Sequence, residues 1–175
     1  MDGIFSHAEP GFDAGPAGSA PGHSEPVVAA VTVPMECDQA FEGFVDYLHL
    51  WWPLGTLSGI GPGSHLGFEG QDLVEESEAG ERRRWATIGR SEAPLRIEPQ
   101  GLARGVLELD FTLGYEQEAP TRVAIEFLET GTGATDVTLT HDGWSNGEAG
   151  EGQRELAKAW PEVLGYYQRF MGGAA

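Results

Sequence analysis

A chain of 175 residues with 40% hydrophobic and 10% aromatic side chains suits one domain, large enough to bury about 70% of its unfolded surface. Its net charge of −18 repels phosphate backbones and anionic membrane surfaces, so nucleic acid is not expected as a partner. A single cysteine, Cys37, excludes an intrachain disulfide and favours a reducing compartment.

The charge is uneven. Residues 1–81 hold 14 acids and no Lys or Arg, while residues 82–175 hold 14 acids and all 10 bases. Solubility is the plain reading of this surplus; a patch for a basic partner is the sharper one. Residues 1–26 have neither a basic segment nor an apolar core of the signal-peptide kind. No run approaches the ~18 apolar residues of a membrane helix. A soluble, cytoplasmic protein without membrane insertion is expected.

Residues 1–26, rich in Gly, Pro, Ala and Ser, read as a disordered tail because they lack apolar surface to offset chain entropy. Ile4, Phe5 and Phe12 are candidates for a short docking element within it. The folded part opens with "VVAAVTVP", a β-branched run bounded by prolines, hence a strand. "ECDQAFEGFVDYLHLWW" follows as a helix. Asp38 is its candidate cap, Phe41, Phe44, Val45 and Leu48 keep the 3.6 period, and Pro53 stops it. "LGTLSGIGPGSHLGFEG" is a glycine-dense connection with room for one helical turn. It has no Lys-Ser/Thr to make a phosphate loop.

From residue 66 to 142 strand follows strand. Ala79-Gly80 marks a hairpin, and "EAPLRIEP" reads as a second turn with a short strand. Leu107, Leu109, Phe111 and Leu113 alternate onto one face, as do Val123, Ile125 and Phe127, then Val137, Leu139 and His141. The last element, about 151–171, is a helix with Leu156, Trp160, Val163, Leu164, Tyr167 and Met171 as its apolar stripe. Pro161 either kinks it or opens a second segment. Residues 172–175 form a short tail. The order is strand, helix, glycine-rich connection, antiparallel meander, long helix: an α+β chain whose curved sheet needs the last helix as cover.

Four stretches, "VTVPMECDQAFEGFVDYLHLWWPL", "RRRWATIGRSEAPLRIEP", "RVAIEFLETGTGATDVTLTHDGW" and "WPEVLGYYQRF", occur in this order. With them, residues 27–171 resemble the bacterial proteins similar to the C-terminal domain of the activator of the heat-shock-protein-ninety ATPase, within the START-like (SRPBCC, polyketide-cyclase-like) superfamily. The resemblance implies a helix-grip fold, with a bent antiparallel sheet around a long C-terminal helix and two short helices near the N-terminus. It also implies a hydrophobic cavity between helix and sheet. Relatives usually carry Trp-Gly where this chain has Trp85-Ala86.

On that reading Trp51 and Trp52, about 100° apart at a helix end, serve two walls, one the core and one the cavity mouth. Trp85, His141, Trp144, Trp160, Tyr167 and His65 are the further candidate ligand contacts, and Tyr166 is a neighbour of the same border. His141, on an apolar face, is either a satisfied core histidine bonded to backbone, a ligand contact, or a general acid or base. Of Glu75 and Glu76 only one can face inward, and a buried carboxylate is expected to have a raised pKa. "RRRW" puts Arg82 and Arg84 on one strand face and Arg83 on the other. Pairing with neighbouring acids is its ordinary fate; binding an anionic ligand group is the alternative.

No catalytic constellation stands out, Cys37 has no evident base, and His49, His65 and His141 lack metal-ligand spacing. No cofactor and no metal are expected. The leading expectation is a module that binds a small hydrophobic or aromatic molecule. The alternatives are a cofactor-free cyclase- or hydrolase-type enzyme using His141 and an inward carboxylate, and a protein-interaction or chaperone-accessory domain. A homodimer is also an open alternative.

Overall fold

The computed structural model describes residues 25–97 and 101–174. The proposed tail segment with Ile4, Phe5 and Phe12 lies outside the described residues. Strand β1 (Val27–Val33) leads into helices α1 (Cys37–Val45) and α2 (Leu48–Trp51). Six strands follow: β2 (His65–Glu69), β3 (Asp72–Glu76), β4 (Arg82–Ile97), β5 (Leu102–Phe111), β6 (Thr121–Glu129) and β7 (Thr135–Asp142). Two helices, α3 (Gly147–Ala157) and α4 (Trp160–Phe170), close the chain. All strand pairs are antiparallel, in the order β1-β7-β6-β5-β4-β3-β2. This is the α+β helix-grip architecture.

Period-2 alternation decides which face each strand buries. Leu107, Leu109 and Phe111 of β5, Val123, Ile125 and Phe127 of β6, and Val137, Leu139 and His141 of β7 are all buried. Leu113, just beyond β5, is buried with them. Against this face lie Ala40, Phe44 and Leu48 from α1 and α2, and Trp160, Val163, Leu164 and Tyr167 from α4. Truncating any one of the large aliphatic members, such as Leu164, would cost about 2–5 kcal/mol.

Several boundaries differ from the sequence reading, each for a local reason. The first helix breaks after Val45, and α2 is a separate short element ending at Trp51. Asp38 lies in the first turn of α1 rather than at its cap, which is Glu36 and makes no side-chain capping bond. There its carboxylate favours the positive end of the helix dipole. Trp52 is extended (ψ 127°), as the residue before a proline must be. The glycine-dense connection is shorter than expected: its last residues, from His65, are strand β2.

"EAPLRIEP" contains no turn within its described part. β4 runs unbroken to Ile97, with register shifts against β5 between Ile88 and Arg90 and between Glu92 and Leu95. Pro94 falls inside the second irregularity, where a missing N–H removes no ladder bond. The C-terminal helix is two helices, with Pro161 in the first turn of α4, where a proline's fixed φ fits and its absent N–H is not needed. Beyond α4, Gly172 (φ 83°) and Gly173 donate back to Arg169 O and Gln168 O, a glycine C-cap.

Candidate functional site

The interior of the grip is a continuous run of aromatic rings. Tyr167 of α4 meets Trp51 at 5.1 Å between centroids, Trp51 meets Trp52 at 5.5 Å, and Trp52 meets Trp85 at 5.4 Å and Trp160 at 6.0 Å. Trp160 meets His141 at 5.9 Å, and His141 meets Trp144 at 4.5 Å. Seven of the eight candidate ligand contacts are therefore brought together. His65 is not: it is exposed on β2, beside Val45, His49 and Phe68 in an outer groove. Tyr166 faces out as well, with the Arg169 guanidinium 4.4 Å from its ring centre.

Each buried ring with a polar edge has a partner. The Trp51 indole donates to Gly43 O at 3.0 Å, Trp52 to Leu57 O at 3.0 Å, and the Tyr167 hydroxyl to Ala40 O at 2.7 Å. Adjacent tryptophans at the end of α2 thus tie α1 and the start of the glycine-rich connection to one core. The half-buried Trp144 donates to Glu25 O at 3.2 Å.

His141 is a satisfied core histidine, though its partners are side chains rather than backbone. Trp160 Nε1–H donates to His141 Nδ1 at 2.9 Å, and His141 Nε2 lies 2.7 Å from Thr121 Oγ1. An indole can only donate. Nδ1 is therefore the acceptor, and the proton sits on Nε2, directed at Thr121. Thr121 in turn donates to Phe111 O at 3.2 Å. Burial pushes the His141 pKa down to about 4. A neutral imidazole with its lone pair occupied is poorly placed to take a proton from a ligand.

Glu75 occupies the opposite side of the ring cluster. It is fully buried, and Glu76 is the outward neighbour. Ser58 and Ser64 donate to its Oε1, and Gly59 N–H (2.7 Å) and Trp85 Nε1–H (2.9 Å) donate to Oε2. Burial alone would raise this carboxyl, but those four donors outweigh it and hold Glu75 below the ordinary carboxylate value. The expected raised pKa is thus reversed. Glu75 is an ionised peg that fastens the 58–64 loop to β3, not a proton donor at neutral pH.

Between Glu75 and His141 the space is occupied by rings. A small void lies under α3, bounded by Phe111, Thr112, Leu113, Tyr115, Thr121, His141, Gln153 and Leu156, and measures about 10 Å³. That is room for a single water at most. Sequence reading missed Thr121 and Gln153 here. Thr121 carries a signal, since it precedes Val123, Ile125 and Phe127 in the same alternation. Gln153 lies three residues before Leu156, one helical face, and its side chain spans to Ser145 N–H at 2.8 Å.

The roof, α3, buries only Gly150, Gln153 and Ala157 and packs less closely on the strands than α4 does. Its glycines are close-contact positions: a Cβ on Gly150 would lie 1.8 Å from Ser145 O, and one on Gly152 would lie 1.9 Å from the Tyr115 hydroxyl. Cys37 is buried, which raises its thiol pKa and leaves it a packing residue. Among the described residues, no group of three or more His, Cys, Asp or Glu is arranged to hold a metal ion. No helix among them is long and apolar enough to cross a membrane.

Solved structures share this architecture. The chain is similar to CalC from Micromonospora echinospora, described as a self-sacrificing resistance protein, with 20% identity, TM-score 0.58, and coverage of 87% of this chain and 99% of that one. It is also similar to Txn09, an anthrahydroquino-gamma-pyrone synthase, with 22% identity, TM-score 0.51 and coverage of 84% and 97%. The KanY protein follows at 16% identity, TM-score 0.50 and coverage of 85% and 98%. No protein-family model and no curated protein sequence matches the chain. The fold shared with these structures is the helix-grip.

Proposed function

We propose that this protein binds a small aromatic or otherwise apolar molecule at the His141 end of the grip, beneath α3. The observation that carries the reading is the conjunction of a small void and a weakly held roof. Phe111, Leu113, Tyr115 and Leu156 supply apolar walls, and Thr121 and Gln153 supply the few polar atoms that orient a ligand, with His141 holding Thr121 in place. On this reading α3 lifts to enlarge the void while α4 and the sheet stay in place. Ligand burial then contributes about 25 cal/mol per Å² of apolar area, which offsets the cost of parting α3 from its few contacts. The synthase Txn09, with a similar fold, has been solved in complex with a ligand, which supports this use of the fold.

The catalytic alternative is less well supported. His141 is neutral and engaged on both nitrogens, and Glu75 is ionised and fully hydrogen-bonded.

Isothermal titration with 2-naphthol tests the proposal. A saturable 1:1 isotherm with a negative heat-capacity change is expected, and Leu156→Trp, which fills the void, should weaken it at least about tenfold, or ~1.4 kcal/mol. Absence of saturable heat in the wild type, or an unchanged isotherm in Leu156→Trp, would remove the basis for the site.

A further inference from the structure

We infer that the groove lined by Arg83 and Arg84 is a binding site for the anionic group, phosphate or carboxylate, of a small ligand. The groove arises from a mismatch of strand lengths. β4 pairs with β5 only from Ala86, opposite Phe111, while Arg82–Arg84 pair with β3 alone. Where β5 leaves, Thr112 N–H and Leu113 N–H both turn back to Trp85 O. The overhang opens a space of about 610 Å³, lined by Asp72, Val74, Arg82, Arg83, Arg84, Thr112 and Glu116. That volume lies in the range of small-molecule sites.

The three arginines are not equivalent. Arg82 is committed to Glu69 and Glu76. Arg83 uses one guanidinium nitrogen on Gly59 O at 2.7 Å, and its Nε stands 3.9 Å from Glu116. Arg84 is the most exposed of the three, with an ion pair to Asp72 at 3.9 Å. At 3.9 Å a guanidinium and a carboxylate attract but share no hydrogen bond. Arg83 lies on the face of its partner Glu75 and Arg84 on the opposite face with Val74, and both line the open end of β4, where among the described residues most of their hydrogen-bonding capacity is unused. A guanidinium fork matches the paired oxygens of phosphate or carboxylate. Val74 and Thr112 add an apolar and a hydroxyl-bearing wall.

The site does not depend on the pocket beneath α3, and the test keeps the two apart by using anions with no apolar body. In low salt, 15N-detected NMR follows the Arg83 and Arg84 Nε–H signals during titration with inorganic pyrophosphate and, separately, citrate. Saturable shifts are expected, weakened about tenfold in Arg84→Gln and strengthened in Glu116→Gln, which removes the competing carboxylate. Arg84 is exposed, so its variant should keep the wild-type amide spectrum; Glu116→Gln gives an independent reading if it does not. Tighter pyrophosphate assigns the natural group as phosphate, tighter citrate as carboxylate, and both support the site. No saturable shift with either anion overturns it, as does equal binding by wild type and Arg84→Gln. Binding of polyglutamate alone, with neither small anion, overturns it too, because the groove would then be a protein-docking surface.

Discussion

His141 is buried with both ring nitrogens engaged, and this fixes how it titrates. In the fold it takes up a proton only near pH 4, against about 6.5 for a free imidazole. Between those values the unfolded chain binds more protons than the folded one, so stability falls as pH drops through this window and is retained above it. Urea unfolding at pH 7 and pH 4 should differ by about 3 kcal/mol on this account, and His141→Gln should flatten the slope. Glu75 acts lower down. Its folded pKa is depressed below the ordinary 4.5, so the stability it contributes is present above that value and lost as pH falls through the folded one. The His141 contribution is therefore lost from about pH 6.5 downward, and the Glu75 contribution only below 4.5. That His141 faces inward is legible in its alternation with Val137 and Leu139. Its bonds to Trp160 and Thr121 are not, because they join residues 19 and 20 positions away. Glu75 is harder still, since its donors come from a glycine-rich loop whose shape no periodicity encodes.

Among the elements, α3 and α4 read as one helix in the sequence because a single apolar stripe spans both. They part where Lys158 and Ala159 turn with i→i+3 bonds to Glu155 O and Leu156 O. The two halves differ in kind. α4 carries Trp160, Val163, Leu164 and Tyr167 into the core, whereas α3 begins with Gly147 and holds Gly150 and Gly152 at close approaches. Glycine lowers helix stability by about 1 kcal/mol relative to alanine, yet alanine is not the simple remedy here. Gly150→Ala would drive a Cβ into the Ser145 carbonyl. Hydrogen exchange should therefore show α3 amides exchanging faster in Gly150→Ala, with α4 and β5–β7 protection unchanged. Equal loss across both helices would mean that they unfold as a unit. β4, by contrast, reads as two pieces in the sequence but is one strand. Pro94 is a strong turn signal locally, and only the pairing with β5 on either side shows that the strand continues past it.

At the level of the molecule, 28 acids against 10 bases make self-repulsion a standing cost of the compact state. The ion pairs are mostly on exposed side chains, such as Arg90–Glu92 and Arg104–Glu126, where each contributes at most about 1 kcal/mol. Screening should therefore relieve more repulsion than it removes attraction. Raising salt from about 20 mM to about 300 mM, which shortens the Debye length below ~6 Å, should raise Tm by several degrees. A fall in Tm would mean that the arginine–carboxylate pairs outweigh the surplus. The order of strands and helical regions was legible from sequence because alternation and helical spacing agree with one another along the chain. Closure of the interior was not, since five tryptophans fit a lined cavity and a filled one equally well.

The ring-to-ring contacts inside the grip also make the protein its own optical reporter. Trp51 and Trp52 are held 5.5 Å apart at 44°, and Trp52 stands at 76° to Trp85 and 82° to Trp160. Indole transition dipoles this close and this fixed in mutual orientation couple, giving an intense, signed near-ultraviolet circular dichroism band that isolated tryptophans lack. Because α2, β4 and α4 each supply part of the array, that band registers their docking as a single event, and a rearrangement confined to α3 leaves it untouched.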